Sequence, residues 1–145
     1  MLTPAEVSLL VEVGFWALDE KLYDDAEVVF SRLSTVQASN PYPRIGLAML
    51  AYSRGQGDEA IQQLHGLLGD FPNAVFTRSL LARFMKERNE PGWERYARET
   101  LERVQSGAAA DLARTLLNDA AAAATRDTSS RPSDSLSATM TMRRV

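Results

Sequence analysis

The chain has 145 residues, of which 45% are hydrophobic, and a formal net charge of -3 at pH 7. This length suits one domain with a compact core, and the slightly negative charge gives no reason to expect nucleic acid as a partner. Cysteine is absent, which excludes disulfides, thiolate metal sites and thiol nucleophiles. No apolar run approaches the roughly 20 residues of a membrane-spanning helix, so we expect no membrane insertion.

The N-terminal residues predict a helix from the outset. Thr3, Pro4 and Glu6 form the pattern of a capping box. Glu6 and Glu12 interrupt the apolar residues, and no basic segment precedes them, so the start does not resemble a Sec signal peptide. The expected compartment is therefore the cytosol, with export by another route as the alternative.

Three more helices are predicted up to residue 72. The second helix starts around Tyr23 and ends at Asn40-Pro41, because proline disfavours helix in the residue before it. Residues 44–72 form two amphipathic helices, separated by Gly55 and Gly57 and closed by Pro72.

These helices repeat with the period of about 34 residues that is typical of tetratricopeptide proteins. Gly14 corresponds to Ala48, Ala26 to Ala60, and Phe30 to Leu64. Small residues at the first two positions allow helices to approach closely, and a bulky residue at the third fills the space between repeats. The pattern therefore predicts stacked helical hairpins.

A third, degenerate repeat and a capping helix follow. The third repeat pairs a helix over 75–86 with one over 93–104, and Ala97 takes the role of Ala26 only if about three residues are inserted. The last helix, from Ala108 to about Ala123, is expected to cap the stack. We therefore predict an all-α fold, a short tetratricopeptide-like solenoid over residues 1–124, followed by a disordered Ser/Thr/Arg tail over 125–145.

Residues that could carry enzymatic chemistry are few. His65 is the only histidine, and we interpret it as a partly exposed surface residue because a metal site would need further ligands. The acidic pairs Asp24-Asp25 and Asp58-Glu59 lie at predicted helix starts, where capping and the helix dipole favour them. We predict no catalytic residue, no metal and no cofactor.

The inner face of the first helix of each repeat is the better candidate for a functional site. In tetratricopeptide stacks its positions 2, 5, 9 and 12 line a concave groove, and here these positions are largely apolar. An apolar groove suits the hydrophobic face of a guest helix. The predicted partner-binding residues are Val11, Phe15, Leu18, Tyr42, Ile45, Met49, Tyr52 and Phe76.

An alternative to partner binding stays open for these apolar residues. The protein's own first or last helix would cover the same side chains in so short a stack, leaving no room for a guest.

The two tryptophans are assigned separately. Trp16 is assigned either to packing or to an oligomer contact, whereas Trp93, at the start of a helix, is expected in the core.

Two segments of the chain resemble small tetratricopeptide proteins of bacterial type III secretion. They are LVEVGFWALDEKLYDDAEVVFSRL near the N-terminus and SLLARFMKERNEPGWERYARETLE in the third repeat. The resemblance is closest to the HrpB-one/HrpK family and more distant to the needle-subunit chaperones of the YscG and PscG kind. It covers about residues 5–120.

The resemblance implies a non-enzymatic accessory protein of the secretion apparatus. In the chaperone branch, the apolar helix of a needle or pilus subunit lies in such a groove, in the bacterial cytoplasm. The alternative is a self-associating scaffold component, placed in the periplasm. A protein partner and a homo- or hetero-oligomer are thus expected.

The predicted boundary after Ala124 can be tested by truncation. If the tail does not pack on the domain, a chain ending at Ala124 should melt within about 2 °C of the full chain, because no buried surface is lost. Thermal unfolding followed by circular dichroism measures this. A drop of about 5 °C or more would show that the tail stabilises the fold.

Overall fold

The computed structural model describes residues 1–143, with side chains described through Arg126. The described part contains seven α-helices and no strand. The helices are α1 (Pro4–Asp19), α2 (Tyr23–Val36), α3 (Tyr42–Ser53), α4 (Gly57–Asp70), α5 (Val75–Glu87), α6 (Trp93–Arg103) and α7 (Ala108–Arg143).

The helices pair into three hairpins that stack in chain order. Helices α1 and α2, α3 and α4, and α5 and α6 form the hairpins, while α2 packs on α3 and α4 packs on α5. Helix α7 packs against both helices of the third hairpin and so closes that end of the stack. The predicted all-α, tetratricopeptide-like solenoid with a capping helix is confirmed.

The start of the chain is fixed as its residues predict. Thr3 accepts a hydrogen bond from the Glu6 amide (3.2 Å), and the Glu6 carboxylate accepts one from the Thr3 amide (2.7 Å). This reciprocal capping box satisfies two amides that the first turn of α1 leaves free.

The turn inside each hairpin has the same backbone conformation, which recurs once per period. Lys21, Gly55 and Asn89 all adopt positive φ angles, of 63°, 83° and 57°. In each case the next residue donates its amide hydrogen to a carbonyl five residues earlier, as in the bond from Leu22 to Ala17. These are Schellman motifs, and they keep the period through the third repeat even where lysine or asparagine replaces glycine.

The two acidic pairs lie in the first turns of α2 and α4, but their side chains do not cap these helices. Asp24 instead pairs with Arg54 at 2.8 Å, and Asp58 pairs with Arg88 at 2.7 Å. Both members of the ion pair therefore recur one period later. The expected side-chain capping is thus wrong, and one carboxylate of each pair instead binds the arginine at the end of the following hairpin's first helix.

The closest packing in the stack surrounds Phe30 of α2, which is fully buried. A Cβ atom added to Gly14 of α1 would lie 2.6 Å from its ring, and one added to Gly46 of α3 would lie 2.4 Å away. The ring therefore lies between the backbones of two helices, and only glycine fits at both positions.

The third repeat keeps its small-residue packing despite an insertion. Ala97 is fully buried, like Ala26 and Ala60, and it takes their role three residues later in the period, as predicted. The insertion falls between the turn at Asn89 and the start of α6 at Trp93, where Gly92 has a φ of 92°.

Two boundaries differ from the sequence prediction. Helix α2 ends at Val36, ahead of the predicted end at Asn40, and residues 37–40 make a separate turn. Helix α7 is described as far as Arg143, past the predicted start of the tail at Thr125. The side chains from residue 127 onward lie outside the described part, so the 124/125 domain boundary stays a prediction.

Replacing Gly46 by alanine tests the Phe30 contact. The added methyl group would overlap the ring, so the free energy of unfolding should fall by about 1–3 kcal/mol. Gly69→Ala in α4 is the matched control: nothing lies within 4 Å of its added Cβ, and higher helix propensity should raise stability by about 0.5–1 kcal/mol. Urea unfolding measures both, and equal stability of the two variants would contradict the packing argument.

Candidate partner-binding groove

An open pocket of ≈ 450 Å³ lies beside the first helices of the three repeats. Four of the eight predicted groove residues line it, from α1, α3 and α5: Phe15, Tyr42, Ile45 and Phe76. Val75, Val104 and residues 106–109 complete its wall, in which the α6–α7 connection takes part. The stack thus brings half of the predicted residues together around one cavity.

The pocket lining is apolar, and among the described residues no charged side chain contributes to it. The N-terminal ends of α3, α5 and α7 all border the pocket. Since helix N-termini carry partial positive charge, three such ends place partial positive charge around this apolar cavity.

Local contacts hold the lining residues in place. The Asn40 side chain accepts a hydrogen bond from the Tyr42 amide at 3.0 Å and so orders the start of α3. Phe15 packs edge-on against Phe30, with ring centroids 5.0 Å apart. Ile45 is 1% exposed and belongs to the floor. Tyr42, at 52% exposure, is the most exposed aromatic residue of the lining.

The other four predicted groove residues lie outside this pocket. Leu18 is buried with Ala26, Phe30 and Leu50, where it offers a partner almost no surface. Met49 and Tyr52 are partly buried against the main core, and Val11 is partly buried on α1. The chain's own side chains therefore cover part of the expected groove, and the open part is the pocket.

Tyr52 shows how the covered part is filled. Its ring stacks on Phe84 with centroids 3.9 Å apart and planes 5° apart, and its hydroxyl donates a hydrogen bond to Glu87 at 2.6 Å. Burial, together with the hydrogen bond to Glu87, raises the pKa of Tyr52 from 10.0 to about 12. Tyr52 thus joins α3 to α5 and is structural in this conformation.

The sequence analysis missed the pocket residues Val75, Val104 and 106–109. Val75 follows Val7 by two repeat periods, so the repeat register itself placed it one position before Phe76. The α6–α7 connection carries no comparable signal, because its position depends on how α7 folds back against the third hairpin.

The structure shows where the residues considered for catalysis or metal binding lie. His65 is exposed and contacts the edge of the Tyr96 ring, with centroids 5.8 Å apart, as its surface assignment predicted. Among the described residues, no group of three or more His, Cys, Asp or Glu side chains could hold a metal ion. Within the same part, none of the helices combines the length and hydrophobicity needed to cross a membrane.

The two tryptophans differ sharply in environment. Trp93 is 9% exposed and lies in the core, as predicted. Trp16 is 58% exposed on α1, so the packing interpretation is wrong and the oligomer contact stays a prediction.

Fold and pocket together define a short tetratricopeptide-like solenoid with an apolar pocket on the side formed by its first helices. The chain belongs to the family described as Bacterial type III secretion protein (HrpB1_HrpK), whose model matches residues 2–122. This confirms the resemblance seen in the sequence.

Solved structures contain the same fold. The chain is similar to the Yersinia enterocolitica type III secretion translocator chaperone SycD, with a TM-score of 0.68 and 16% sequence identity. The match covers 88% of this chain and 90% of that chain. Curated protein sequences contain no match to it.

The contact between Tyr52 and Glu87 predicts a pH dependence of stability. Because folding raises the pKa of Tyr52 to about 12, the folded state favours the protonated phenol. Its contribution is fully present below about pH 10 and should be lost as pH rises from about 10 through 12. Urea unfolding over this range should show a loss of stability that is smaller in Tyr52→Phe.

Glu87→Gln separates the causes of this shift. Desolvation is the larger cause, so this variant should retain part of the pH dependence. Identical profiles for the unchanged protein and Tyr52→Phe would contradict the assignment.

Proposed function

We propose that the protein is a non-enzymatic type III secretion accessory protein, a chaperone that binds an apolar helix of a needle or pilus subunit. The guest helix lies in the groove formed by α1, α3 and α5 and inserts an apolar side chain into the pocket. The observation that carries the proposal is this uncharged pocket, lined by Phe15, Tyr42, Ile45, Val75 and Phe76, in a member of a type III secretion family.

The size of the pocket suits modest affinity. If a guest buries about 200–400 Å² of apolar surface, the hydrophobic effect contributes on the order of 5–10 kcal/mol at ~25 cal/mol per Å². Loss of translational and rotational freedom costs about 4–15 kcal/mol, so the pocket alone provides at most about 6 kcal/mol, a Kd of roughly tens of micromolar or weaker. Such affinity would let a chaperone release its client at the secretion apparatus.

The similarity to a translocator chaperone supports a chaperone architecture at the level of the fold. The absence of charge from the pocket lining favours an apolar client segment over an acidic peptide tail, which would need lysine or arginine in the groove. We place this chaperone in the bacterial cytoplasm, where a subunit helix needs protection before export.

A self-associating scaffold, located in the periplasm, is the second candidate. The exposed Trp16 favours it, because an indole at the surface is a common anchor of protein interfaces. A scaffold of this kind should form a stable homo-oligomer and ignore needle or pilus subunits.

Replacing Tyr42 by glutamate tests the chaperone proposal. The unchanged protein should bind the needle or pilus subunit of its own secretion system in isothermal titration calorimetry. Tyr42→Glu should weaken this binding at least about tenfold, roughly 1.4 kcal/mol, since it places a charge at the pocket rim. Its helical circular dichroism should be unchanged because the side chain is half exposed.

Val36→Glu in α2 is the matched control, because Val36 is 62% exposed and lies outside the pocket. It should bind like the unchanged protein. Equal affinities of Tyr42→Glu and Val36→Glu would remove the pocket from the proposal. A homo-oligomer without affinity for either subunit would favour the scaffold.

A further inference from the structure

Three apolar side chains of α1 form an exposed stripe that the groove does not use. Leu9, Val13 and Trp16 are 60%, 41% and 58% exposed, and their spacing of four and three residues places them on one face of the helix. None of the three lines the pocket beside Phe15. We call this surface the end face, because α1 is the first helix of the stack.

The repeat shows what normally covers such a face. The residues one and two periods after Trp16 are Leu50 and Phe84, which are only 2% and 3% exposed. Leu50 packs with Ala26 and Phe30 of α2, and Phe84 lies in one cluster with residues of α4. Phe84 also stacks on Tyr52 of α3. In repeats two and three, this position is thus buried by the preceding hairpin.

The same holds for the rest of the stripe. The equivalents of Val13 are Leu47, partly buried, and Leu81, fully buried. Those of Leu9 are Pro43 and Thr77, both fully buried. The end face therefore continues the contact surface between hairpins, but within residues 1–143 no hairpin packs on it.

The charges around the end face are reversed relative to the inner contacts between hairpins. Arg54 and Arg88 end the first helices of repeats two and three and bind Asp24 and Asp58 of the preceding second helices. The equivalent residue of repeat one is Glu20.

The other charged residues of α1 are acidic as well. At about 100° per residue, Glu6 and Glu20 lie at the two ends of the stripe, and Glu12 and Asp19 lie along one side. The segment from Met1 to Glu20 contains no lysine or arginine.

We propose that the end face docks an amphipathic helix of another protein, with a leucine-rich apolar stripe bordered by lysine or arginine. Such a helix would occupy the position on α1 that α2 occupies on α3 and α4 occupies on α5. Its basic residues would meet Glu20 and Glu12, as Asp24 and Asp58 meet arginine inside the stack.

The same charges disfavour a second copy of this chain. Two end faces packed together would bring Glu6, Glu12 and Glu20 of both copies close to one another. Docking of α2 or α4 from another copy would set Asp24 or Asp58 against Glu20. Like charges at an interface cost binding energy, whereas a basic helix gains from all of them.

The probe is a pair of synthetic peptides based on α4, which in this chain packs on α5. The first carries the sequence of residues 57–70 with Asp58, Glu59 and Asp70 replaced by lysine, and the second is the unchanged acidic sequence. Each is labelled, and its binding to the full-length protein is followed by fluorescence anisotropy.

The basic peptide should bind at least about tenfold more tightly than the acidic one, and salt should reduce the difference. Trp16→Glu should weaken binding of the basic peptide at least about tenfold. Tyr42→Glu should leave it unchanged, which separates the end face from the pocket. Absence of binding at about 1 mM, equal binding of both peptides, or insensitivity to Trp16→Glu would each overturn the proposal.

A parallel experiment tests whether a second copy or the chain's own tail covers the end face. Sedimentation should show a monomer at concentrations up to about 100 μM, because a specific dimer would have a lower dissociation constant and would already form at this concentration. A dimer that Trp16→Glu dissociates would assign the end face to a second copy and overturn the proposal. If the basic peptide binds only after truncation at Arg126, the chain's own tail is the occupant, which also overturns it.

Discussion

The Phe30 ring, held between the backbones of α1 and α3, is the contact on which the first two hairpins depend. Gly14 and Gly46 both approach it so closely that a methyl group would overlap the ring. This contact sets the distance between the first helices of repeats one and two. It also supports Phe15, which packs against the Phe30 edge and lines the pocket. The same aromatic side chain therefore connects core packing to the candidate site.

Regularity along the stack comes from a hairpin turn that recurs with the period. The positive φ angles of Lys21, Gly55 and Asn89 end each first helix in the same way. An arginine at the end of the first helix then binds an acidic residue of the preceding hairpin, at both inner junctions. These ion pairs are exposed and individually weak, but they fix which residues face each other between hairpins.

The two ends of the solenoid differ in how far their apolar surface is covered. Helix α7 covers the third hairpin, whereas α1 leaves leucine, valine and tryptophan exposed at the other end. A solenoid normally has polar terminal faces, because each repeat buries its apolar surface only against its neighbours. The first-helix side and the N-terminal end thus provide two apolar surfaces of different character, one uncharged and one with an acidic rim.

The sequence by itself determined the helical hairpins, their regular period and the kinship with type III secretion proteins. All of these depend on local spacing: Ala26 and Ala60 are buried because helix periodicity turns them inward, and the Thr3–Glu6 cap forms within one turn. The sequence also placed Phe15, Tyr42, Ile45 and Phe76 on one side of the stack, because groove positions follow from the register, and all four line the pocket.

Only the tertiary structure decided which groove residues stay accessible. Leu18, Met49 and Tyr52 occupy groove positions of the repeat, as Phe15 and Ile45 do, yet they are packed into the protein. The reason is that the distance between stacked helices depends on side chains far apart in the chain. For the same reason, the sequence did not predict the ion pair of Arg54 with Asp24 or the exposure of Trp16. A salt bridge between two hairpins, and a helix face that the described hairpins leave exposed, exist only once the hairpins are stacked.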